Sequence, residues 1–144
     1  MAQINIKLGR FKTFYYICII KQKKTQKKEI FVFGSNQSGR HGKGAAKTAL
    51  GWGAVWGQAE GLQGRTYGIP TKNSSITRTL DLDEIKPYVD RFIDFAKTRP
   101  DLIFLVTEVG CGLAGLRPKD VAPLFKAAVN LENIHFPAKF WHKL

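Results

Sequence analysis

"LIFLVTEVGCGLAG" occupies Leu102–Gly115. Its opening residues, Leu102–Val106, are apolar without alternation, so a strand over Leu102–Glu108 is buried on both faces. Parallel sheets read this way, because helices cover both of their faces. The apolar run then stops, and Gly110, Gly112 and Gly115 follow closely. A buried strand that opens into bare backbone is the feature the rest of the chain has to explain.

The same arrangement occurs earlier. "IFVFGSNQSGRHGKGAA" runs from Ile30 to Ala46, with a short buried strand at Ile30–Phe33. Gly34, Gly39, Gly42 and Gly44 then fall among Ser, Asn, Arg, His and Lys. Ala45, Ala46, Ala49 and Leu50 have helical spacing, which Gly51, Gly53 and Gly57 break. "RTYGIPTK" (Arg65–Lys72) reads as a strand ending at Pro70. A helix follows, with Asp83 as its N-cap, Pro87 in its first turn, and Ile85, Val89, Phe92, Ile93 and Ala96 on one face. Pro100 closes it. Asp120 is expected to cap a helix carrying Val121, Phe125, Ala128 and Val129, and Asn133–Pro137 forms a last short strand. Strands alternate with helices, which predicts an α/β fold with a mostly parallel, mixed sheet and helices on both faces.

With 144 residues the chain suits one domain with a real core. Its formal net charge is +12, but the excess is uneven. Met1–Lys28 holds Lys7, Arg10, Lys12, Lys21, Lys23, Lys24, Lys27 and Lys28 and no acid. Residues 1–28 therefore read as a basic extension, and residues 29–144 as the folded domain. Within the extension, Phe14–Ile20 (FYYICII) reads as an edge strand. It would either pair with Ile30–Phe33 or belong to a dispensable tail. It is too short to span a bilayer, which takes about 20 residues. Lys21, Lys23 and Lys24 follow it in place of a small-residue cleavage site, so it does not read as a signal peptide. Cys18 and Cys111 form no disulfide framework, which points to a reduced, cytoplasmic setting. No HxxxH or Cys/His cluster points to a metal.

In such sheets, ligands sit beyond the carboxyl ends of the strands. Both glycine loops occupy that place. Glycine lets backbone N–H groups approach a ligand with no Cβ between, and a helix N-terminus adds unpaired N–H groups. Together they make a cradle for an anion, typically phosphate. The alternative is that the glycines serve tight turns and close packing alone. The pattern is neither a P-loop, since Ala45 stands where the Lys would be, nor a dinucleotide GxGxxG.

"FVFGSNQSGRHGKGAA", "YGIPTKN" and "TEVGCGLAGL", in this order, resemble the macro-domain superfamily, most closely a compact bacterial and phage branch. The resemblance covers about Ile30–Phe140. It implies a three-layer α/β/α fold that binds ADP-ribose or a related nucleotide, free or attached to a substrate, with no cofactor. Gly34, Ser35, Asn36, Gly39, His41, Gly42, Gly44 and Ala45 would face the distal ribose and diphosphate, with Asn36 near the ribose hydroxyls. Thr71 would lie beside them, and Gly110, Cys111, Gly112, Leu113, Ala114 and Gly115 would wrap the diphosphate from the other side. The "TK" and "GCGL" pieces are similar to those of terminal ADP-ribose glycohydrolases. There the Lys, matched by Lys72, attacks the anomeric carbon, and a carboxylate directly after GCGL assists. Ala114 occupies that carboxylate position here. Glu108 and Asp120 flank the loop as substitutes.

Other residues have plainer readings. Cys111 reads first as a small buried hydrophobe and second as a nucleophile. His41 reads as a phosphate contact, a base, or an exposed, uncommitted side chain. Tyr67, Trp52 and Trp56 could stack on an adenine, although packing suits the tryptophans better. Arg40, Lys43, Lys47 and Arg65 would raise the potential near the loops. The rival function is a nucleic-acid-binding accessory protein that grips with the basic N-terminal segment. No membrane partner is expected.

Overall fold

The computed structural model describes residues 27–144. The expected edge strand at Phe14–Ile20 lies outside the described residues. In chain order the elements are β1 (Lys28–Asn36), α1 (Gly44–Leu50), β2 (Gly61–Gln63), β3 (Thr66–Lys72) and α2 (Leu82–Lys97). Then come β4 (Leu102–Val106), α3 (Pro118–Val121), a 3-10 helix (Ala122–Ala128), β5 (Ile134–His135) and α4 (Ala138–Trp141). Among the described residues the sheet has five strands in the order β2-β3-β1-β4-β5. Central β1 runs parallel to β3 and β4, β5 is parallel to β4, and only β2 is antiparallel. The fold is α/β with a mixed, mostly parallel sheet, as the alternation of strands and helices predicts. The expectation that β4 is buried on both faces is corrected: Leu102, Phe104 and Val106 are buried, but Ile103 and Leu105 on its other face are only half-buried.

Alternation along the strands separates two apolar clusters. Ile30, Val32, Tyr67, Ile69, Phe104 and Val106 pack with Ile85, Val89, Phe92 and Ile93 of α2. Phe33 points the other way, onto Ala46 and Ala49 of α1. Fully burying one such Phe stabilises the fold by about 1.5–3 kcal/mol.

Several local expectations are corrected. The N-cap of α2 is Asp81, not Asp83; Glu84, three residues on, accepts the Asp81 N–H at 2.8 Å. That reciprocal pairing is a capping box, and it moves the helix start back. Pro87 consequently lies in the second turn of the helix, on its exposed side. Strand β3 continues through Pro70 to Lys72. Its antiparallel partner β2 stops at Gly61, opposite Gly68, so the missing Pro70 N–H leaves no ladder bond unmade. The helix expected after Asp120 begins earlier, with Pro118 in its first turn, and tightens to a 3-10 helix at Ala122. Pro123 has no N–H to continue the α-helical ladder. The short strand β2 had no counterpart in the sequence reading.

Candidate functional site

The carboxyl ends of β1, β3 and β4 lie along one edge of the sheet, because the three strands are parallel. Both glycine loops leave from this edge. Their roots are packed together. A Cβ built on Gly34 would stand 3.2 Å from the Gly110 N and 3.3 Å from the Thr71 Oγ1. The loops meet again further out, where a Cβ on Gly44 would stand 3.2 Å from a Leu113 methyl. The expected ligand-facing segments Gly34–Ala45, Thr71–Lys72 and Gly110–Gly115 are therefore neighbours in space.

β1 extends beyond the expected Ile30–Phe33 through Gly34, Ser35 and Asn36, and side chains at its end and in the loop after it hold the backbone in shape. Asn36 is buried; its amide donates to the Arg40 carbonyl at 2.7 Å, and its Oδ1 accepts the Arg40 N–H at 2.9 Å. The Ser35 hydroxyl donates to the Ala59 carbonyl. His41 is not the exposed side chain that one reading allowed. It is fully buried, and its Nε2 lies 2.9 Å from the Val55 carbonyl and 3.2 Å from Gln63 Oε1. Both partners are acceptors, so Nε2 carries the proton and Nδ1 is left without a partner. Gln63 completes this anchor by accepting the Val55 N–H at 2.8 Å. Gln63 was missed in the sequence. A buried polar residue in a strand is its only signal.

The second loop is tied down by Thr79, also missed, whose hydroxyl donates to the Ala114 carbonyl at 2.7 Å. Thr79 forms an isolated bridge with Lys72. The Ala114 position is thus connected to the end of β3 where Lys72 emerges. Lys72 is half-buried, and its carbonyl accepts the Gln37 N–H at 2.9 Å. Thr71 is buried between the loop roots, with its hydroxyl 3.3 Å from the Ser35 carbonyl.

Not all the glycines are required by the fold. Gly39 has φ +69° and packs on the Gly57–Gln58 backbone. Gly110 and Gly115 also have positive φ. Gly42 and Gly112 differ. Neither has a positive φ, neither would bring a Cβ within 4 Å of anything, and both are exposed. One lies in each loop.

The charges divide in the same way. Away from the first loop, seven carboxylates pair with cations, as in Arg78–Glu84 and Arg91–Glu60. Arg78 and the Asp81 N–H together hold the Glu84 carboxyl down at about 2. Arg40, Lys43, Lys47 and Lys72 have no carboxylate partner among the described residues. Burial, with Glu108 adding to it, pushes the Cys111 thiol up to about 11. A thiol so protonated is a poor nucleophile. Iodoacetamide should alkylate Cys111 roughly a hundred-fold more slowly than free cysteine at about pH 8. A rate equal to that of free cysteine would contradict this.

Trp52 packs edge-on against Phe31, with ring centroids 4.8 Å apart, and Trp56 is exposed. Tyr67 is buried in the core beside Phe92, which takes it away from stacking on a ligand. Among the described residues no group of His, Cys, Asp and Glu has the makings of a metal site. No described helix is long and apolar enough to cross a membrane. No family model, curated protein or solved structure matches the chain.

Proposed function

We propose that this chain binds ADP-ribose or a closely related nucleotide between its two glycine loops, as a cytoplasmic macro-like domain. The same reading carries the three-layer arrangement that the macro-domain resemblance implies. The observation that supports it most is the pair Gly42 and Gly112. The fold leaves room for a side chain at both, yet both are glycine, and they occupy corresponding loops on one sheet edge. Bare backbone there suits close approach by a diphosphate. The cations Arg40, Lys43, Lys47 and Lys72, which pair with no carboxylate among the described residues, favour an anionic ligand.

Lys72 acts in this reading as a point charge on phosphate or ribose. A nucleophilic amine would need to shed its proton beside an anionic diphosphate, and Ala114 supplies no carboxylate to assist. Turnover is therefore weak or absent. Calorimetric titration with ADP-ribose, NAD and cyclic ADP-ribose isomers tests the binding reading, and no heat with any of them would overturn it. Lys72→Ala should weaken binding by about 1–3 kcal/mol, the worth of a charge-assisted contact. The same proteins incubated with terminally ADP-ribosylated peptide and nucleic acid should release little ADP-ribose by mass spectrometry. Efficient release by the wild type that disappears in Lys72→Ala would make the chain a glycohydrolase instead. Borohydride trapping of a Lys72–ribose adduct would then give the mechanism.

A further inference from the structure

A cavity of about 480 Å³ opens beside the second glycine loop, lined by Arg117, Pro118, Lys119, Lys139, His142 and Lys143. It forms where the start of α3 faces the end of α4. Every titratable group in the lining is basic. Two carboxylates stand at its edge: Asp120 bonds Arg117 at 3.0 Å, and Glu108 lies 3.8 Å from Lys139. Lys119 and Lys143 are exposed and have no carboxylate partner among the described residues. The four permanent cations outnumber the two acids, so the cavity keeps a positive charge.

Its position matters as much as its charge. Glu108 directly precedes Val109–Gly115, and Arg117 lies two residues after it. The cavity and the glycine-loop edge therefore share one loop. Its charges are mostly lysines, mobile point charges that suit a run of phosphates better than a single oriented one. The loop shared with the glycine edge favours a nucleic acid, continuous with a nucleotide bound at that edge, over an unrelated acidic peptide.

We infer that this cavity is a second anion site, which takes backbone phosphates of a single-stranded nucleic acid whose terminal nucleotide occupies the glycine-loop edge. The inference rests on the nucleotide-binding reading above and names the carrier to which the nucleotide is attached.

The test compares the full chain with the double variant Lys119→Gln, Lys143→Gln, whose positions are exposed and outside the core. Binding of an unmodified single-stranded oligonucleotide and of a 5′-ADP-ribosylated one is followed by fluorescence anisotropy across a salt series. Free ADP-ribose is titrated separately by calorimetry. Losing two phosphate contacts should lower the log–log salt slope by about 1.4 and weaken both oligonucleotides about tenfold at low salt. Free ADP-ribose should bind the variant as it binds the wild type. Unchanged oligonucleotide affinity and slope in the double variant would overturn the inference. So would lysine-dependent binding of a poly-glutamate peptide in place of the oligonucleotide. A wild type that binds oligonucleotide through these lysines but ignores ADP-ribose would sink the nucleotide reading and the terminal-nucleotide part of this one, leaving the cavity's phosphate site supported.

Discussion

Gly39→Ala is expected to destabilise the protein by about 2–5 kcal/mol, read as a fall in the denaturant midpoint. The backbone at Gly39 has φ +69°, and a Cβ there would stand 2.5 Å from the Gln58 N and the Gly57 C. A left-handed conformation costs an L-residue roughly 1–2 kcal/mol. Forcing an extra carbon against fixed backbone adds about 1–3 kcal/mol. The clash also threatens the bond in which the Gly57 N–H donates to the Gly39 carbonyl at 2.8 Å. Gly57→Ala is the control, because Gly57 has φ +94° but open space around its Cβ. It carries the conformational cost alone, about 1–2 kcal/mol. Equal midpoints for the two variants would refute the packing argument. The effect reaches function through His41 and Gln63, which fasten the same loop to Val55. A loop that no longer seats on Gly57–Gln58 cannot hold its N–H groups where a ligand needs them.

The sheet was readable from the sequence because its signals are local and strong. Leu102–Val106 is apolar at every position, which marks a strand of a parallel sheet, although only Leu102, Phe104 and Val106 are buried and Ile103 and Leu105 on the other face are half-exposed. The loops were readable as loops, since little else tolerates Gly39, Gly42 and Gly44 so close together, but Gly34 belongs to β1, which runs on past Phe33 to Asn36. What each glycine does was not readable. Gly39 and Gly42 look alike in sequence, yet one presses on a distant backbone segment and the other faces open space. That difference is set by residues 57 and 58, through long-range packing that no local pattern encodes. The helix start was misplaced for a different reason. Asp81 and Asp83 are both competent caps, and the choice falls on Asp81 because Glu84 stands three residues after it. The tightening at Ala122 was also available locally, in Pro123, but apolar periodicity outweighed it. His41 needed the tertiary structure, because a glycine-rich loop gives no hint that one of its side chains is fully buried.

Gly42→Val and Gly112→Val should each remove ADP-ribose binding while leaving the fold intact. Neither position has a positive φ, and neither would bring a Cβ within 4 Å of another atom. The folded state therefore accommodates valine, and stability should change by no more than about 1 kcal/mol, with unchanged circular dichroism. The ligand does not have the same freedom. In the proposed complex the space above these two residues is where the diphosphate meets backbone N–H groups. A Cβ with two methyls fills it. Losing one or two charge-assisted bonds from backbone to phosphate costs about 2–4 kcal/mol, or roughly thirty- to a thousand-fold in affinity. The pair also distinguishes a ligand site from a packing motif. If the glycines served only turns, valine would disturb stability in proportion to its effect on binding, as Gly39→Ala should. If they keep backbone bare for a ligand, the two effects separate, with native melting and lost calorimetric heat. Because Gly42 and Gly112 come from different loops, loss of binding in both variants requires a ligand that spans the sheet edge between them. A variant that melts as the wild type does and still binds ADP-ribose with wild-type affinity would remove its loop from the site.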